Sequence, residues 1–167
     1  MKEVSVLFAR ADSVYKTLPE CDVWDWERDA RKWPGGSPIV AHPPCRAWGR
    51  LRYFARPVTG EIELAIWAVD QVHPGEIDEF GGWTLPILQF WFGHRCEKAT
   101  WLYIVGIDPG QLPPIPFALG EATHVIQSRK RSDHRPHVPK SEREHTPRQL
   151  AEWLVELARN AKRDSCI

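Results

Sequence analysis

Apolar positions in this chain come in short runs broken by turns. Val4 to Phe8 is a β-branched and apolar run, and Cys21 to Trp26 is another that follows the turn at Pro19, so both are expected as strands. Pro38 to His42 reads as a third strand. It is entered from the turn Trp33-Pro34-Gly35-Gly36 and stopped by Pro43 and Pro44, which cannot donate to a central ladder. Cys45 therefore stands where a strand ends. Glu61 to Val72 sets Ile62, Ala65, Ile66 and Val69 on one helical face, with acids in the first turn where the helix dipole favours them. Leu85 to Phe92 is apolar and aromatic without a clean period, compatible with helix or strand. Thr100 to Val105 reads as a buried strand closed by Gly106 and Pro109, after which Pro113, Pro114 and Pro116 impose an extended loop or edge. A short strand near His124 to Ile126 follows. The last segment predicts a helix with Thr146 as N-cap, Pro147 in the first helical position and Gln149 completing a capping box. Its apolar stripe is Leu150, Trp153, Leu154, Leu157 and Ala158.

Strands alternating with helices predict an α/β fold, small and Rossmann-like, with a mostly parallel sheet and flanking helices. Residues 1–160 are expected to form one domain and 161–167 a frayed tail. In such sheets function gathers at the carboxyl ends of strands. That rule directs attention to the Pro43-Pro44-Cys45 turn.

Composition narrows the classes. An apolar fraction of 43% in 167 residues is enough for one continuous core. No stretch approaches the run of about 18 apolar residues that crosses a bilayer, and the N-terminal apolar run is too short for a secretory signal, so a cytoplasmic protein without membrane attachment is expected. Cys21, Cys45, Cys96 and Cys166 are widely spaced and read as free thiols. Lysine plus arginine equals aspartate plus glutamate at 22 each, so no global positive field marks a nucleic-acid partner. Local patches matter more. Arg46, Arg50, Arg52 and Arg56 precede an acidic stretch over 61–80, and a second basic tract runs from Arg129 to Arg148. Such runs are solvated loops or phosphate contacts. Nine tryptophans cannot all occupy the centre of so small a core, and those at the surface suit interfaces or base stacking.

The candidate chemistry centres on Cys45. A thiol on a proline-stiffened turn, followed by Arg46 and Arg50, has neighbours that favour the thiolate. Pro44 fixes its position, Trp48 offers a stacking face, and the arginines suit phosphate or carboxylate. The bland reading of the same residues is a small buried thiol at a tight turn. Asp25, at the end of the second strand, occupies a place where doubly wound folds hold a ribose hydroxyl, or else it caps its own turn.

The segment Ile39-Val40-Ala41-His42-Pro43-Pro44-Cys45, with Phe92-Gly93-His94-Arg95-Cys96-Glu97-Lys98-Ala99-Thr100-Trp101-Leu102 and Leu112-Pro113-Pro114, resembles a group of phage and prophage proteins similar to DNA cytosine-C5 methyltransferases. The resemblance covers about residues 38 to 158, including Ser141 to Leu157, which looks like the group's carboxy-terminal helix. It implies that Cys45 is the nucleophile that adds to C6 of a flipped-out cytosine, so that C5 attacks the methyl of S-adenosylmethionine. It further implies Arg46 and Arg50 as substrate or thiolate partners, Pro44 and Trp48 at the base, and His94, Arg95 and Lys98 along the opposite wall. Nucleic acid is the implied partner, with a host protein as a further one.

Two departures are legible. The family's catalytic glutamate follows a strand for which there is no room after Val72, leaving Glu76 or Glu79 as stand-ins. The glycine-rich turn expected after the first strand is also missing, because Phe8-Ala9-Arg10-Ala11-Asp12 contains no glycine. A catalytically inactive phage factor that binds nucleic acid or a host protein is therefore the second reading. A zinc-binding domain using His42, Cys45, His94 and Cys96 is the third.

Overall fold

In the computed structural model of the chain, the residues described are 4–46, 56, 58–70, 82–126 and 133–161, with the backbone alone described at 69 and 70. Three short strands, β1 (Val4–Leu7), β2 (Cys21–Trp24) and β3 (Ile39–Ala41), form a parallel sheet in the order β2-β1-β3. Val4 lies opposite Cys21 and Leu7 opposite Trp24 on one side of β1, while Ser5 to Leu7 face Ile39 to Ala41 on the other. All four residues of β1 are buried, as expected of a central parallel strand covered on both faces. The prolines at 43 and 44 stop β3 where the sequence predicts.

After the α1 helix (Glu61–Asp70) comes a separate antiparallel pair, β4 (Gly82–Leu88) and β5 (Ala99–Val105). The expectation of a mostly parallel sheet holds only for the first half; the described residues form a mixed α/β arrangement with two sheets. The connection from Leu88 to Ala99 is too short for the crossover that parallel strands need, so the chain folds back on itself.

 The antiparallel register runs from Gly82 opposite Val105 to Leu88 opposite Ala99. The ambiguous run from Leu85 to Phe92 proves to be both things in turn, since β4 ends at Leu88 and a 3-10 helix occupies Gln89–Phe92. β5 is not the buried strand its apolar sequence predicts. Its residues alternate, and Trp101 on the outer face is 78% exposed, because a two-stranded sheet has only one face to bury. Near His124 to Ile126 there are isolated bridges, Cys96 with His124 and Val125 with His137, in place of a strand.

The carboxy-terminal segment forms two helices, α2 (Lys140–Glu144) and α3 (Arg148–Asn160); α3 is the helix predicted to begin at Pro147, and α2 precedes it within the segment of resemblance from Ser141 to Leu157. The break has a local cause. Pro147 has no N–H to continue a ladder and biases Thr146 towards extended backbone, and His145 is already extended at φ −89°, ψ 149°. Pro147 itself occupies the N-cap position, and no side chain caps α3, so the expected Thr146–Gln149 capping box does not form. The predicted stripe is correct: Leu150, Trp153, Leu154, Leu157 and Ala158 are all buried.

α3 packs on β1, β3 and the 3-10 helix at Gln89–Phe92. One core cluster joins Val4, Val6 and Val40 of the parallel sheet to Ile87 and Ile104 of the antiparallel pair through Phe92, Leu150 and Trp153. Each large side chain in it contributes roughly 1.5–3 kcal/mol by leaving water. The Trp153 indole N–H donates to the carbonyls of Pro113 and Pro114, both at 3.2 Å, which ties the proline-rich loop to the helix. α1 is turned relative to its predicted face. Ile62 and Ile66 are exposed, while Glu61 and Ala68 are buried. Among the described residues no helix is long and apolar enough to cross a membrane.

Candidate functional site

The sheet order places the site. From β1 the chain moves to one side to form β2 and to the other side to form β3, so the carboxyl ends of β1 and β3 flank a topological switch point, where open α/β sheets hold ligands. The residues leaving β1 there are Phe8 to Asp12, and those leaving β3 are His42 to Arg46. The His42 amide donates to the Leu7 carbonyl at 3.0 Å, which carries the pairing one residue beyond β3 and fixes the start of the turn. Pro44 is half-buried and Cys45 is exposed, so the thiol is not filler in the core.

Beneath the turn, the His42 ring meets the buried Tyr15, with Nε2 2.9 Å from the hydroxyl. Burial pushes the His42 pKa down to about 4, and the Lys98 ammonium acts in the same direction. Burial raises that of Tyr15, with Cys21 adding to the effect. Both rings are therefore uncharged near neutral pH, and they form a neutral pivot under the Pro-Pro-Cys turn. His42 is accordingly a support for the site, with one ring nitrogen already engaged.

Arg46 follows the thiol and forms an ion pair with Glu61, the first residue of α1. Glu61 is 3% exposed, and its Oε2 has no partner among the described residues. This explains the turn of α1: the carboxylate is drawn inward to the guanidinium, and Ile62 and Ile66 are carried outward. The sequence offered a signal for Glu61 only as an acid in a first helical turn. Nothing in it marked the pairing with Arg46.

Lys98 approaches from the link between β4 and β5. Its Nζ donates to the His145 carbonyl at 3.3 Å, and burial lowers its pKa against the opposing pull of Cys96, Cys45 and Glu144. Of the residues expected on the opposite wall, Lys98 is the one whose charge interacts with Cys45. Around it the loop after β1 joins the α2–α3 junction: Arg10 Nη1 donates to Glu144 at 2.8 Å, and His145 Nε2 lies 3.2 Å from Asp12. Arg10 also donates to Asp12 at 3.0 Å.

His94 and Arg95 point elsewhere. His94 is 5% exposed, and its Nδ1 accepts the Cys96 amide at 3.1 Å and lies 3.2 Å from the Cys96 thiol. It borders a cleft of about 140 Å³ with Gly93, Glu142, His145, Thr146 and Pro147, and Cys45 is not among the lining residues. Burial lowers the pKa of His94 and raises that of Cys96. Arg95 Nε donates to Glu142 at 2.9 Å, Nη2 pairs with the same carboxylate, and Nη1 donates to His124 at 3.0 Å. These bonds hold α2 against the β4–β5 link and occupy the guanidinium. Trp48 and Arg50 lie outside the described residues, as do Glu76, Glu79 and Cys166.

The neighbourhood of β1 and β2 does not fit S-adenosylmethionine in the usual way. The turn after β1 has Phe8 at φ +59° where a glycine would be at ease, and the Arg10 side chain is committed to two carboxylates. Asp25 accepts Lys16 Nζ at 2.6 Å and the amides of Glu27 and Arg28 at 3.1 and 3.3 Å, so its oxygens cap a turn. Those contacts, Lys16 first, hold its carboxyl below the ordinary range. A cleft of about 310 Å³ lies beside it, bounded by Lys16, Cys21, Val23, Asp25, Glu27 and Arg28.

The zinc reading is not supported by the geometry. His94 and Cys96 meet, but His42 is engaged with Tyr15, and among the described residues no group of three or more ligand-type side chains converges. Much of the described basic tract carries acidic partners: Arg135 pairs with Asp133, Lys140 with Glu144 and Arg148 with Glu152. Arg129, Lys130 and Arg131 lie outside the described residues. No family model matches the chain, and no curated protein or solved structure matches it either.

Proposed function

We propose that this is a DNA-acting protein of the cytosine-C5 methyltransferase type in its thiol-bearing half, with Cys45 as the nucleophile. The observation that carries the reading is an exposed thiol at a parallel-sheet switch point, on a turn fixed by two prolines and the His42–Tyr15 pivot. Addition forms a bond from Sγ to C6 of an extruded cytosine, the C5–C6 π pair is displaced through C5 towards N3, and N3 takes a proton from solvent, leaving a neutral adduct nucleophilic at C5. Lys98, whose charge interacts with Cys45, is assigned to the same site. Glu61, buried and joined to the turn through Arg46, holds that guanidinium beside the thiol. Arg46 itself, half-exposed, meets phosphate or base at the rim.

No step is routed through a methyl donor, because the β1 turn and the Asp25 contacts do not form a cofactor cradle. The same observations favour a second reading, a catalytically inactive phage factor that grips nucleic acid or a host protein. Titrating the purified protein with labelled S-adenosylmethionine, alone and with DNA, separates the two. Saturable binding in either condition supports methyl transfer. Absence of binding in both removes it and leaves the binding factor.

A further inference from the structure

His94 presents a buried donor with nothing to serve. Its Nδ1 accepts the Cys96 amide, so the neutral ring carries its proton on Nε2, and that nitrogen has no hydrogen-bond partner among the described residues although His94 is 5% exposed. The Glu142 backbone interacts with the ring, but no bond of ordinary geometry reaches Nε2. An orphaned buried donor is costly unless something occupies the space beside it.

The second observation is the start of α3. It is a helix of 13 residues whose N-cap, Pro147, provides no side-chain acceptor, and its first intrahelical bond runs from the Ala151 N–H to the Pro147 carbonyl at 3.0 Å. Helix geometry leaves the amides of Arg148, Gln149 and Leu150 without intrahelical partners, at the positive end of the dipole. Thr146 and Pro147 bring that end to the same cleft of about 140 Å³ that His94 borders. The one carboxylate on the wall, Glu142, is bound through both oxygens by Arg95.

We propose that this cleft binds a small oxyanion of the phosphate class, held by the His94 Nε2–H and the uncapped first turn of α3. A neutral buried donor and free backbone amides both bond more strongly to an anion than to a neutral acceptor. The site stands apart from the thiol chemistry and does not require Cys45 to react.

Inorganic phosphate is the probe. Titrated into isotope-labelled full-length protein near neutral pH, it is expected to give saturable shifts at the His94 ring nitrogens and the Arg148 to Leu150 amides. His94→Asn keeps an acceptor for the Cys96 amide but removes the Nε2 donor, and should weaken phosphate binding roughly tenfold. Arg148→Pro removes one backbone donor at a helix position that tolerates proline, whereas Arg148→Ala keeps it; binding should weaken in the first and persist in the second. This pair serves if His94→Asn does not fold. Absence of saturable shifts at these atoms in the wild type, or unchanged affinity in a folded His94→Asn, overturns the proposal. Competition identifies the source: displacement by a single-stranded oligonucleotide marks a backbone phosphate, and displacement by a nucleoside monophosphate alone marks a free phosphorylated molecule. Phosphate binding without any S-adenosylmethionine binding leaves this inference intact while removing methyl transfer.

Discussion

His42 illustrates how much one side chain carries beneath this site. In the folded protein its pKa lies at about 4, whereas an unfolded chain titrates it near 6.5, so between those values the unfolded state binds more protons. Its contribution is therefore complete above about pH 6.5 and is lost as pH falls through the folded value near 4. The shift corresponds to about 2–3 kcal/mol after allowance for partial solvent contact. His42→Gln keeps a polar atom for Tyr15 but cannot titrate. Denaturant melts at neutral pH and at about pH 5 should show a larger loss of stability in the wild type than in this variant. Equal losses contradict the pivot. At this scale the sequence was informative about Cys45, which its prolines marked as the end of a strand, and silent about His42 and Glu61. Their roles arise from Tyr15 and Arg46, and no local pattern encodes a pairing across the fold.

At the scale of elements, periodicity served well where one face of the chain meets one core. The stripe of α3 was legible because each of its apolar residues is buried, whereas α1 presents Ile62 and Ile66 outward and turns a carboxylate inward. An apolar moment cannot anticipate an ion pair. β5 misleads for a different reason: its apolar residues suit a strand buried on both faces, but among the described residues it pairs with β4 alone. The start of α3 was legible from Pro147, one residue ahead of it, whereas the short α2 before it was not. Trp153 fastens α3 to Phe92, with ring centroids 5.5 Å apart, and to the proline loop. Trp153→Ala should cost about 3–5 kcal/mol, read as a lower denaturant midpoint at unchanged slope. A loss below about 1 kcal/mol would mean that the helix is held chiefly elsewhere.

For the whole molecule, order in the parallel sheet matters more than the identity of any helix. Because β1 lies between β2 and β3, two loops distant in sequence open at one end of the sheet, and Lys98, Glu144 and His145 approach from the later half of the chain. The class α/β was legible from the alternation of elements. The division into a parallel and an antiparallel sheet was not, since strand direction depends on connections whose path no residue pattern fixes. In the proposed likeness to cytosine-C5 methyltransferases, the Cys45 thiol stands exposed after β3, while Arg10 and Asp25 are already engaged with other side chains.

The central claim is that the Cys45 sulfur reaches a cytosine ring. It is tested most directly by incubating the protein with an oligonucleotide carrying a mechanism-based cytosine analogue and looking for a denaturant-resistant protein–DNA adduct. The account predicts an adduct in the wild type, mapped to Cys45 by peptide mass, and none in a folded Cys45→Ser. No adduct in the folded wild type, or an equal one in the serine variant, would contradict it.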